Sequence, residues 1–195
     1  MASVMTDDEF AVLCEKYPDY FIETTAEGEI VIMPPNYSPT SRQSGLITAQ
    51  LLQWSETTGE GEVTDAAGGF VLPNGARRSP DAAWTSQQRG EELGAQSDSG
   101  YWHLAPDFVI ELRSQTDPLA KLRRKMQEWI ANGTLLAWLI DPERKAVEIY
   151  RPGRATQILE NVDSVQGESP VEGFTLDLRP VWRKPFTRRR GAGLR

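Results

Sequence analysis

A chain of 195 residues suits one domain with one cleft, and 39% hydrophobic with 25% charged content excludes wholesale disorder. No apolar run approaches the roughly 20 residues that cross a bilayer, and the start MASVMTDDEF lacks a basic segment followed by an apolar one, so neither a membrane span nor export is expected. The formal net charge of −7 is the wrong sign for bulk attraction to phosphate, although seven basic and no acidic residues run from Arg179 to the end, leaving the other 14 of the 21 basic residues to face all 28 acids. That basic end reads either as a hold on nucleic acid or as ordinary solvated charge.

In chain order, Thr6 and Glu9 have the spacing of a capping box, predicting a helix from about Asp7 to Lys16. Tyr20 to Glu23 and Glu29 to Met33, joined by a turn-like 24–28, read as a hairpin stopped by Pro34 and Pro35. Ser38 as N-cap and Pro39 as first helical residue open a second helix, whose Ile47, Leu51 and Trp54 recur at helical spacing before Gly59. Between Glu62 and Thr85, two turn signals, Gly68-Gly69 and Pro73-Asn74-Gly75, predict short strands in a bent antiparallel meander. The polar stretch 86–100 has little periodicity and reads as an inserted loop.

The segment DFVIELRS (107–114) is an apolar strand interrupted by a carboxylate. Asp117-Pro118 then starts a helix that runs to about Asn132 and is closed by Gly133. LLAWLI (135–140) reads as a central strand, Ala146 to Tyr150 as its antiparallel neighbour, and Phe174 to Leu178 as a last edge strand. One domain over 1–182 and a basic, untethered tail over 183–195 follow. The lone Cys14 excludes an internal disulfide and a cysteine zinc site, which makes a reducing cytoplasm the simplest location. Paired with the only histidine, His103, it would make a nucleophilic site, but packing or surface roles fit both residues better. Six tryptophans offer more aromatic surface than one small core needs, which points to a homodimer.

Glu111 stands in the middle of an apolar strand, where an ionised carboxylate must be compensated by a cation, by a basic side chain or by a strand face open to water. Asp81, after Pro80, suits a turn or cap when taken alone. Its separation from Glu111 allows a hairpin, however, so that two strand-borne acids converge as hard divalent cations require. Lys125 shares the edge of its helix's inward stripe with Leu122 and Trp129. From there it either reaches the acids, to meet charge at a phosphate or to position and deprotonate a water, or snorkels to solvent.

These residues are recognisable together. In IETTAEGEIVIMPP, GFVLPNGARRSPDAAW, PDFVIELRSQTDPLAKLRRKMQEWIANGTLLAWLIDPERKAVEIYRPG and VEGFTLDLRPVW, the chain resembles nearly end to end the Uma-two family, a bacterial group labelled as restriction endonucleases and carrying the PD-(D/E)XK nuclease fold. The resemblance implies an α+β fold with a central mixed sheet flanked by helices and an N-terminal β-hairpin. It implies Mg²⁺- or Mn²⁺-dependent endonuclease activity with nucleic acid, most simply DNA, as partner. Asp81 and Glu111 would hold the metal, with the carbonyl of Leu112 as a further ligand and Glu23 as an additional acid. The general motif has a lysine two residues after its second acid, where this chain has Arg113, which cannot act as a base but suits a phosphate clamp or a salt bridge. Lys125 is then the migrated lysine. The histidine common at the start of the family's second helix is absent, with Arg42 or Gln43 in its place. Asp117, ahead of Pro118, reads as a helix cap before a metal ligand. The competing class is a nuclease-fold module that binds nucleic acid or protein without cleaving.

Overall fold

The computed structural model describes residues 5–94 and 100–187. Most of the basic tail and the middle of the 86–100 stretch lie outside those residues. Helix α1 (Asp7–Lys16) starts at the expected box: the Thr6 amide donates to Glu9 Oε2 at 2.8 Å and the Glu9 amide to Thr6 Oγ1 at 3.2 Å. Strands β1 (Phe21–Thr24) and β2 (Ile30–Met33) form the hairpin, with Phe21 opposite Met33 and Glu23 opposite Val31. Helix α2 (Ser38–Thr58) closes on Gly59 in the left-handed conformation, but its N-cap is Tyr37, one residue earlier than expected, and makes no side-chain cap bond.

The expected meander is split between two sheets. Strand β3 (Gly61–Asp65) pairs with β6 (Ala82–Ser86), whereas β4 (Phe70–Val71) and β5 (Arg77–Arg78) leave to join the hairpin in a sheet of order β2-β1-β5-β4. The reason is burial, because Phe70, Leu72 and Ala76 of the β4–β5 excursion are taken into a cluster with Met126 and Trp129. The polar stretch is also not all loop: Ser86 caps a one-turn helix, α3 (Gln87–Glu91).

The main sheet has the order β10-β9-β8-β7-β6-β3. It adds β7 (Phe108–Leu112), β8 (Leu136–Asp141), β9 (Ala146–Tyr150) and β10 (Gln157–Glu160) to β3 and β6. Only β7 and β8 run parallel, because helix α4 (Leu119–Ala131) crosses over between them. Strand β12 (Thr175–Asp177) is not an edge of this sheet. It pairs with β11 (Ser164–Gln166) in a separate two-stranded ribbon, since Phe174, Leu176 and Leu178 are buried against the face that α2 covers. A last turn of helix, α5 (Arg179–Trp182), follows. Arg42 and Gln43 tie α2 to this end, donating to the carbonyls of Pro180, Arg183 and Val181.

Strand alternation decides which side chains meet. Ala82, Trp84, Phe108, Ile110 and Leu112 face α2, where Ile47 and Leu51 pack, while Ala83, Val109, Ala137 and Leu139 face α4. All six tryptophans pack in or against these two clusters, with Trp54, Trp102 and Trp182 partly buried. Among the described residues no helix is long and apolar enough to cross a membrane.

Candidate functional site

Glu111 has the parity of Val109 and therefore points to the α4 side, where it is 4% exposed. In the β6–β7 ladder Ala82 faces Ile110, and one further step sets Asp81 opposite Glu111. Two acids distant in sequence thus stand at one end of neighbouring strands. Asp81 Oδ2 accepts the Leu112 amide at 2.8 Å, and the Asp81 carbonyl accepts from the Thr48 hydroxyl of α2. Glu111 Oε1 accepts the Trp129 indole N–H at 2.9 Å and lies 2.9 Å from Lys125 Nζ, while Oε2 has no partner among the described residues.

Lys125 reaches the acids. Its ammonium also contacts Glu23 Oε1 at 2.8 Å and the Ser79 carbonyl at 3.2 Å, with the side chain 15% exposed. Glu23 is fully engaged: Oε1 takes Lys125 and the Ser79 amide, and Oε2 takes Arg78 at 3.2 Å. Arg78 is braced in turn by Glu128 at 2.6 Å.

The electrostatics follow from this crowding. Burial pushes the Glu111 carboxyl up to about 7, with the charges of Asp81 and Glu23 adding to it and Lys125 opposing. Asp81 opens on the cavity but is surrounded by protein, and this desolvation raises its pKa, against the Leu112 amide and Lys125 and with help from Asp117. Burial works against ionised Glu23 too, yet Lys125 and Arg78 prevail and hold it below the ordinary value. Burial would likewise depress Lys125, but Glu111 and Glu23 outweigh it and keep the amine above its usual pKa. Lys125 is thus held as a cation between the two carboxylates.

Arg113 does something else. Its Nη1 pairs with Asp141 at 2.9 Å and lies 3.4 Å from Glu143, and its Nε donates to the Asp117 carbonyl. Of the two roles expected for it, the salt bridge is the one made. Asp117 Oδ2 accepts the Ser114 amide and hydroxyl, closing the turn before α4, and the N-cap of α4 is Pro118, so the expected helix cap is not formed. Cys14 and His103 take separate partners, the Tyr101 hydroxyl and Asp7.

Asp81, Glu111, Leu112, Glu23, Arg78 and Lys125 line one cavity of about 750 Å³ beneath the β1–β2 hairpin. Arg78 and Trp129 were not anticipated as parts of the site. Trp129 had a signal, since it lies one helical turn after Lys125 on the same stripe. Arg78 had none, because sheet pairing alone brings it in.

Among the described residues no group of three or more His, Cys, Asp or Glu side chains forms a ready cage for a metal ion. Two carboxylates at one strand end are nevertheless the set that Mg²⁺ takes when waters and a phosphate complete its octahedron. The fit has a physical mark: both carboxyls are held above their ordinary values by burial and neighbouring charge, and one Glu111 oxygen is uncommitted. A divalent cation would relieve both.

The family model of Uma2, described as "Putative restriction endonuclease", matches residues 7–179, a span that includes every residue of the site. The chain belongs to the Uma2 family. Its fold has a solved counterpart in a crystal structure titled as a putative nuclease belonging to DUF820 from Anabaena variabilis ATCC 29413. That protein is 21% identical over 91% of this Uma2 chain and 97% of the other, with a TM-score of 0.75. No curated protein matches the chain. The fold class is α+β, a central mixed sheet between helices, as the sequence implied.

Proposed function

We propose that this Uma2 protein is a metal-dependent nuclease that hydrolyses phosphodiester bonds in DNA at the Asp81–Glu111 site. The observation that carries the reading is the convergence of the two carboxylates with Lys125 Nζ, 2.9 Å from Glu111, inside a lined cavity. Asp81 and Glu111 would hold Mg²⁺ or Mn²⁺, with the Leu112 carbonyl beside them. Such an ion, when bound, polarises a scissile phosphate and lowers the pKa of a water. Lys125 brings a fixed positive charge to the phosphate oxygens, where charge grows as the bond breaks. Glu23 and Arg78 aim that charge: Glu23 holds the amine, and Arg78, braced on Glu128, holds Glu23. Glu23 thus acts as a positioning residue, since its oxygens are already bonded. Trp129 helps fix the Glu111 rotamer by donating its indole N–H to Oε1.

Family membership and the fold support a nuclease in general. The metal and the choice of DNA rest on the chemistry of the donor set. Incubating a labelled DNA with wild type, Asp81→Ala and Glu111→Ala under Mg²⁺ or Mn²⁺ tests both. Cleavage by wild type alone is expected. Cleavage retained by either variant removes the mechanism, and no cleavage by wild type favours the module that binds without cutting.

A further inference from the structure

The cavity above the two carboxylates has unlike walls. On one side, strand alternation in the hairpin turns Phe21 and Glu23 inward together with their partners Met33 and Val31. The same wall continues through Pro34 and Pro35 to Tyr37. Two large rings are left in water at this mouth, Phe21 at 38% and Tyr37 at 71% exposure. On the other side, the first turns of α4 present Lys121 and Arg124, both exposed. Neither forms a salt bridge among the described residues.

We propose that the site receives an unpaired single strand of DNA, with a base stacked on Phe21 and Tyr37 and the adjoining phosphates held by Lys121 and Arg124. This deepens the nuclease reading and rests on it for the reacting phosphate. Phe21 stands two residues from Glu23 on one strand, about 7 Å along the wall. Glu23 holds Lys125, so the ring lies beside the position where a phosphate would react. An aromatic platform facing a short cationic strip is the equipment of single-strand binding, because every base has a face to stack.

A duplex meets the opposite conditions. It presents a charge about every 1.7 Å of its axis and is held by many lysines and arginines across a broad face. Among the described residues this mouth offers two cations outside any salt bridge, Lys121 and Arg124, and the hairpin turn opposite them carries exposed Glu27 and Glu29. Glu111 is recessed to 4% exposure, so a phosphate must enter the cavity to reach it. A single strand can thread in; a paired backbone would need its partner stripped away.

The test uses the full chain and one DNA sequence, presented fluorescently labelled as a single strand and as a blunt duplex. Anisotropy is read in EDTA, and cleavage is read separately with Mn²⁺. Single-strand binding tighter than duplex by about ten-fold or more is expected. Tyr37→Ala and Phe21→Ala should each weaken single-strand binding about ten-fold, the worth of one stacked base, and leave duplex binding unchanged. Lys121→Ala with Arg124→Ala should weaken it further. Duplex bound as tightly as single strand, no binding of either, or ring variants that bind like wild type would overturn the proposal. The two readings fail separately: single-strand binding without cleavage removes the nuclease, and cleavage of duplex with no use for the rings removes the single-strand site.

Discussion

Exchanging Glu111 for glutamine should stabilise the metal-free protein at high pH while abolishing cleavage. Burial lifts the Glu111 carboxyl from its ordinary 4.5 to about 7, so the folded protein keeps a proton that the unfolded chain gives up. A group raised in this way favours the fold fully below its unfolded pKa, and that advantage is lost as pH rises through the folded one. By pH 8 the wild type carries an ionised carboxylate in a desolvated site at a cost on the order of 3 kcal/mol, and by pH 5 that cost falls below about 1 kcal/mol. Glutamine mimics the protonated form, and its carbonyl still accepts from the Trp129 indole and from Lys125, the bonds that Glu111 Oε1 makes now. For a chain of this size each kcal/mol moves the melting temperature by roughly 2–4 °C. Thermal unfolding in EDTA should therefore show Glu111→Gln melting several degrees above wild type at pH 8 and close to it at pH 5. A variant no more stable at pH 8, or equally destabilised at both pH values, would mean that Glu111 is held ionised and that the carboxylates are not strained toward a cation.

Two further substitutions separate the site from its surroundings. Lys125→Met leaves Glu23 and Glu111 without their shared cation and should cost about 3–5 kcal/mol in urea unfolding, with cleavage lost even in the folded fraction; folded but fully active protein would remove Lys125 from the mechanism. Arg113→Ala should cost about 2–3 kcal/mol, because Asp141 is fully buried and loses its guanidinium. Cleavage per folded molecule should stay at the wild-type level, and a large rise in KM would instead return Arg113 to the substrate phosphate.

The two halves of the site differ in how far local sequence could place them. Asp81 and Glu111 were legible because each lies in or beside a short apolar strand whose alternation fixes its face, and their separation permits the antiparallel β6–β7 pair that sets them opposite. Lys125 was legible as one edge of a helical stripe. Arg113 was open between a phosphate clamp and a salt bridge because nothing local to it shows Asp141, which the parallel β7–β8 pairing brings beside it. The split of the 62–85 segment was hidden because which strands pair is decided by where Phe70 and Leu72 find cover, not by any pattern within the segment. Glu23 looked like a spare metal ligand. Only its tertiary contacts with Lys125, Ser79 and Arg78, all distant in sequence, show its oxygens already bonded.

The most direct measurement is calorimetric titration of the purified protein with Mn²⁺, beside Asp81→Asn and Glu111→Gln. Saturable binding by wild type is predicted, with heat release that disappears in both variants while their circular dichroism stays native. Undiminished binding in either variant, or none in wild type, would contradict the assignment of Asp81 and Glu111 as the metal-holding pair.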